Sequence, residues 1–200
     1  MYQNIIFDMG GVLLEFSERR ILDFFYGDLS PEDRARIWAA IREAGPWQQW
    51  DRGEIGADEV LRIACARLPE RLHNRVRRQV PSFFEAMAPI PETNALVREL
   101  KAMGRNVYLL TNVPSIFERE KHRIPCLDAF DGILASYEVH LLKPEREMYL
   151  AFLERFSLRA EDCFFIDDMQ ANIDGAAAAG ISGHCFADGD VGRLREALGV

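Results

Sequence analysis

The first apolar run of the chain, Ile5-Ile6-Phe7, is short and unbroken, and it stops at Asp8-Met9-Gly10-Gly11. A run of that length closed by a glycine pair predicts a buried strand followed by a turn. Comparable runs lie at 106–110, 132–135, 163–166 and 182–186. Between them the apolar positions change to helical spacing. Leu96, Val97, Leu100 and Met103 share one face, and Gly104 supplies the stop. Met148, Tyr149, Phe152, Leu153 and Phe156 repeat in the same way after Pro144, and Ile173, Ala176, Ala177 and Gly180 form a face of small side chains. Strands alternating with helices predict an α/β fold, a three-layer Rossmann-like parallel sheet covered on both faces.

The stretch 15–87 breaks the alternation. Its apolar positions are helical throughout: Ile21-Leu22-Phe24-Phe25, Ile37-Trp38-Ile41, Val60-Leu61-Ala64-Leu68 and Leu72-Val76-Val80. Ser30 before Pro31 predicts a capped helix start, with proline at the first helical position. An insert of about seventy residues is too long for a loop. The expected organisation is therefore a core of 1–14 and 88–200 with a helical cap of 15–87, and Pro89 and Pro91 mark the return.

Composition narrows the partners. Two hundred residues, 48% hydrophobic and 28% charged, suit a globular chain that can bury a core without staples. A net charge of −8 argues against nucleic acid and acidic membrane surfaces, so an anionic substrate needs a local positive feature. No apolar run approaches a membrane span, and Asn4 to Asp8 lacks the pattern of a signal peptide. Cys65, Cys126, Cys163 and Cys185 show no ligand spacing; Cys163 and Cys185 fall in strand-like runs and read as small buried hydrophobes. A reducing, cytoplasmic setting is expected. Whether the chain is a monomer or a homodimer stays open.

Ligands of open parallel sheets bind at the carboxyl ends of the strands, so the residues just past each strand are where a site would show. Here the ends carry Asp8, then Thr111-Asn112, then Asp167-Asp168, with Lys143 beyond the third strand. Three carboxylates on one rim repel one another unless a cation lies among them. Mg²⁺ suits the demand, because it takes oxygen ligands and keeps waters that a phosphate can displace. Lys143 is the positive feature that the acidic chain otherwise lacks, and Gly10 and Gly11 let backbone N–H groups approach an oxyanion.

With these motifs in place, FDMGGVLL at 7–14, YLLTN at 108–112, LLKPEREMY at 141–149 and FFIDDMQANIDGAAAAG at 164–180, the chain resembles the haloacid dehalogenase-like hydrolase superfamily over nearly its whole length. The helical insert occupies the place of that family's α-helical cap, and WDRGEI at 50–55 looks like a stretch common in such caps. The resemblance implies that Asp8 is a nucleophile forming an aspartyl-phosphate. It implies that Asp8, Asp168 and the Gly10 carbonyl hold Mg²⁺, with Asp167 acting through a bound water. Thr111, Asn112, Met9 and Gly10 would bind phosphate, and Lys143 would neutralise Asp8 and the transferring group. The implied substrate is a small phosphorylated metabolite, a sugar phosphate being one candidate.

One position departs from the family pattern. Its phosphatases carry a second Asp two residues after the nucleophile as general acid, and here that position is Gly10. Such help is worth ~10²–10⁴ in rate. An acidic leaving group, a substitute such as Glu15 or a cap residue, or a weakly active phospho-ligand binding protein would each account for the glycine. His140, where relatives carry Gly, is another candidate acid. Trp47, Gln48, Trp50 and Arg52 are candidates for substrate recognition by the cap, against ordinary packing. Arg71, Arg75, Arg77 and Arg78 read as a solvated helix face. A metal-independent 2-haloacid dehalogenase is the remaining rival, and Asp167-Asp168 speaks against it.

Overall fold

A computed structural model describes residues 2–43 and 46–200 of the chain. Five strands, β1 (Asn4–Phe7), β2 (Asn106–Thr111), β3 (Gly132–Ala135), β4 (Cys163–Asp167) and β5 (Ser182–Cys185), form one wholly parallel sheet in the order β3-β2-β1-β4-β5. The first strand is central: Phe7 aligns with Leu109 on one side and Ile166 on the other. Every strand lies within a residue or two of an apolar run read from the sequence, because buried parallel strands must be apolar on both faces.

Side chains of successive strand residues go to opposite faces, and two hydrophobic clusters result. Ile5, Phe7, Val107, Leu109, Phe164 and Ile166 join one, while Ile6, Tyr108, Leu110 and Phe165 join the other. Among the described residues the helices are α1 (Glu18–Tyr26), α2 (Pro31–Trp38), α3 (Pro46–Asp51), α4 (Ala57–Arg67), α5 (Glu70–Gln79), α6 (Pro91–Ala102), α7 (Phe117–Glu120), α8 (Ser136–Val139), α9 (Arg146–Phe156), α10 (Gln170–Ala178) and α11 (Val191–Leu198). Helices α9 and α10 cover the second cluster with Met148, Tyr149, Phe152 and Ile173. Helices α6 and α11 cover the first, with Leu96, Leu100, Leu194 and Leu198. None of the described helices is long and apolar enough to cross a membrane.

All helices from α1 to α5 lie between β1 and α6, where the sequence shows only helical spacing. Ser30 caps α2 by accepting from the Asp33 N–H at 3.2 Å, with Pro31 at its first position. The outgoing and returning segments pair with each other: Glu15 N donates to Ala88 O at 2.7 Å, and Ile90 N donates to Leu13 O at 2.9 Å. The insert does not build a core of its own. Trp47, Trp50, Val60, Val76 and Phe83 belong to the same cluster as Phe7 and Leu109. The arginines of α5 are not a simple solvated face, because Arg71 pairs with Asp33 and Arg75 with Asp28, tying α5 to the chain around α1 and α2. The four cysteines are free; Cys163 is buried and Cys185 half-buried.

Candidate active site

The carboxyl ends of β1, β2 and β4 meet at one cavity of about 330 Å³, lined among others by Asp8, Gly10, Thr111, Asn112, Lys143 and Asp168. That is at the small end of ligand-binding pockets. A larger open depression, about 860 Å³, lies on the insert around Phe24 and Arg75, where Asp28 and Arg75 already neutralise each other; the cluster of carboxylates with a buried lysine lies at the smaller cavity.

Asp8 comes directly after β1 and continues its ladder, its N–H donating to Ile166 O at 2.9 Å. Lys143, 4% exposed, places Nζ 2.7 Å from Asp8 Oδ1 and 2.7 Å from Asp167 Oδ2, and it donates to Leu110 O at 3.1 Å. One carboxylate oxygen from each of Asp8, Asp167 and Asp168 lies within 4.8 Å of the others. Burial raises the Asp8 carboxyl to about 7 against the pull of Lys143, and Asp167 and Asp168 push it further up. Burial works against a charged Lys143 as well, but Asp167 and Asp8 outweigh it and hold the ammonium above its ordinary pKa. Three carboxylates facing one ammonium leave a buried deficit of positive charge, and an all-oxygen donor set is what a hard divalent cation requires. The residues present fit such an ion.

Supporting contacts fix this arrangement. Gly11 has φ +75°, and a Cβ there would stand 2.4 Å from Asp168 Oδ2, so the turn after β1 lies directly against that carboxylate. Helix α10 approaches the Lys143 loop as closely: a Cβ on Gly175 would stand 2.4 Å from Pro144 O. Gly175, beside the face of small side chains, is what allows that approach. Asp167 is fully buried. Lys143 meets its Oδ2, Met169 N–H meets Oδ1 at 2.9 Å, and Asn172 Nδ2 reaches both oxygens at 2.9 and 3.0 Å. A carboxylate offers about four acceptor sites, so a role through a metal-bound water would require Asp167 to give up one of these contacts. Asn112 differs from expectation too. Its Nδ2 donates to Lys143 O and its Oδ1 accepts from Lys143 N–H, both at 2.9 Å, so the amide positions the Lys143 backbone, with its second N–H left over at the cavity. Thr111 and Met9 do line the cavity.

The insert closes the cavity. Trp47, Gln48 and Asp51 of α3 line it with Phe16, Arg42 and Phe83. Trp50 and Arg52, expected beside them, are not among its described lining residues. Trp50 is 1% exposed and packs edge-on against Trp47 and Phe83, at centroid distances of 5.3 and 5.8 Å. Arg52 instead forms a two-pronged ion pair with Glu145. His140 is exposed, and its Nδ1 lies 2.7 Å from Arg52 O; Glu15 is exposed and paired with Arg20. Neither reaches the cavity. Ser136 Oγ accepts from Val113 N–H at 2.8 Å and donates to Asp51 O at 2.5 Å, seating α3 on the sheet edge. Ser136, Glu145, Arg42 and Asp51 were not singled out from the sequence. For Asp51 a signal existed: it lies four positions after Trp47 and therefore shares its helix face.

A family model of haloacid dehalogenase-like hydrolases matches residues 2–180. The chain is 31% identical over 185 residues to a sesquiterpene phosphatase of Aspergillus oryzae, covering 91% of this chain and 88% of the relative. It is 26% identical to a phosphorylated carbohydrates phosphatase of Thermotoga maritima, covering 90% and 82%. A haloacid dehalogenase family enzyme of Bacteroides thetaiotaomicron, solved in complex with magnesium and inorganic phosphate, shares the fold with a TM-score of 0.71 at 23% identity, covering 92% and 93%.

Proposed function

Since the chain belongs to the haloacid dehalogenase-like hydrolase family and is a phosphatase-type hydrolase within it, we propose that it cleaves small phosphate monoesters through an aspartyl-phosphate on Asp8, with Mg²⁺ as cofactor. The observation that carries this reading is the Lys143 ammonium 2.7 Å from Asp8, beside a cluster of three carboxylates. Asp8 and Asp168, with the Gly10 carbonyl, would hold the Mg²⁺, which supplies positive charge to the phosphate oxygens. Asp8 presents its second oxygen to phosphorus. Lys143 offsets the charge gathering between the nucleophile and the transferring group, the kind of preorganised electrostatics that dominates phosphoryl transfer. Thr111 and the backbone N–H groups of Met9 and Gly10 orient the phosphate. Asp167, Asn112 and Asn172 keep Lys143 aimed. The free cysteines accord with a cytoplasmic setting.

The apolar part of the cavity lining favours a particular substrate class. Phe16, Trp47, Phe83, Met87, Leu142 and Met169 give it a mostly apolar, aromatic surface. Such a wall fits a phosphate ester with an apolar organic group, as the name of the Aspergillus relative suggests. A sugar phosphate, as the Thermotoga relative's name suggests, would need hydroxyl partners, which Gln48, Arg42 and Asp51 offer among a larger number of apolar side chains. Comparing kcat/KM for prenyl monophosphates and sugar phosphates decides between them. The activity itself is tested with 4-nitrophenyl phosphate: turnover should require Mg²⁺ and fall by roughly 10⁴-fold or more in Asp8→Asn. Turnover surviving either chelation or that substitution would overturn the mechanism, and metal-independent halide release would point to dehalogenation.

A further inference from the structure

Phosphoryl transfer from an alkyl ester leaves an alkoxide that must be protonated, and Gly10 carries no group to do it. The acids lining the cavity are, among the described residues, Asp8, Asp51 and Asp168. Asp8 and Asp168 are committed by the mechanism above. Asp51 is not. It comes from α3, at the edge of the cavity contributed by the insert, and it is 8% exposed. Its Oδ1 is buried without a hydrogen-bond partner, a condition shared among the described residues only with His184 Nε2. An orphaned carboxyl oxygen in a buried site costs free energy unless a ligand completes it. Its backbone is held in place, because Asp51 O accepts from Ser136 Oγ.

We propose that Asp51 is the proton donor to the leaving oxygen, taking from the insert the task that the residue after Met9 cannot perform. The proposal rests on the phosphatase reading. In the first step an Asp8 oxygen bonds to phosphorus while the bond from phosphorus to the ester oxygen breaks. The bonding pair stays on that oxygen, which takes the proton from Asp51 and departs as an alcohol. In the second step the Asp51 carboxylate removes a proton from water as the water oxygen attacks phosphorus. This releases inorganic phosphate, frees Asp8 and restores protonated Asp51. One water is consumed, and both residues return to their starting states.

The surroundings suit an acid that works near neutrality. Burial raises the Asp51 carboxyl to about 7, opposed by the Arg42 guanidinium and a hydrogen bond from Trp47, with the negative charge of Asp8 adding to the rise. Arg42 approaches from the segment after α2, Trp47 from α3 itself and Asp8 from the end of β1. A group that must be protonated to act loses its effect as the pH climbs past its pKa. Turnover of alkyl phosphates should therefore fall above about pH 7. Turnover of 4-nitrophenyl phosphate, whose leaving group departs without a proton, should lack that limb.

The test compares wild type, Asp51→Asn and the double variant Asp51→Asn/Gly10→Asp, with Mg²⁺, on 4-nitrophenyl phosphate and an alkyl phosphate. Gly10 can take a side chain, since an added Cβ would come no nearer than 3.4 Å, to Phe16 Cβ. Read as first-turnover release of phenolate or alcohol, which reports the phosphorylation step alone, Asp51→Asn should leave the aryl ester within about threefold and slow the alkyl ester by ~10²–10⁴, and Gly10→Asp should restore much of that loss. Equal losses on both esters, or no loss on either, would overturn the assignment while leaving the phosphatase reading intact. So would a wild type active on aryl esters alone. A wild type inactive on both would remove the phosphatase reading and this inference with it. If Asp51→Asn does not fold, the wild-type profiles decide alone: an alkyl-specific basic limb supports Asp51, and superimposable limbs refute it.

Discussion

At the residue scale the site is an exercise in compensating buried charge. Lys143 is enclosed with Asp8 and Asp167, and all three are nearly inaccessible. Each is tolerable only because the others are there. Gly11 shows how little tolerance remains. Its left-handed backbone, and the 2.4 Å at which an added Cβ would meet Asp168 Oδ2, leave no room for a methyl group. Gly11→Ala should cost roughly 1–2 kcal/mol in backbone strain alone and displace Asp168. The expected outcome is a folded protein, by circular dichroism, with Mg²⁺ affinity lowered at least about tenfold in titration calorimetry; unchanged affinity would show that Asp168 does not bind the ion. The sequence displayed Asp8, Lys143 and Asp168 because each ends a strand or lies just past one. It could not display that Asn112 would pair with the backbone of Lys143, since that pairing joins loops thirty-one positions apart.

At the element scale, α3 is the piece that the apolar spacing did not reveal. Six residues give too few turns for a periodic signal, yet α3 carries Trp47, Gln48 and Asp51 to the cavity. Its end is seated by the Ser136 hydrogen bond to Asp51 O and by the Arg52–Glu145 pair that follows it. That pair is about one-third exposed, so its worth to stability is at most about 1 kcal/mol. Arg52→Ala and Glu145→Ala should each lower stability by no more than that, and the double variant should cost less than their sum in a denaturant cycle. If Arg52 instead met substrate, Arg52→Ala would raise KM while Glu145→Ala would not. The helices α9 and α10, by contrast, were legible. Their apolar or small residues recur at helical spacing because each has one face against the sheet.

For the whole molecule, the shared hydrophobic cluster matters most. Aromatic contacts run from Trp50 through Phe83 and Phe84 to Phe117, joining the insert to α7, the helix after β2. Trp50→Ala should therefore cost about 3–5 kcal/mol and lower a single unfolding midpoint, with circular dichroism and tryptophan fluorescence changing together. Two separated transitions would show an insert that folds independently of the sheet. The strands and their parallel connection could be read from the chain before it was folded, because burial on both faces and a helix between strands leave local periodic signatures, and with them the acidic residues and the lysine that meet at one cavity. Folding alone settled which side chains of the insert face Asp8, that Trp50 is spent on packing, and that Asp51 is left with an unpartnered oxygen. Periodicity tells a residue which face of its own element it occupies. What that face meets depends on how elements distant in sequence come to lie against one another.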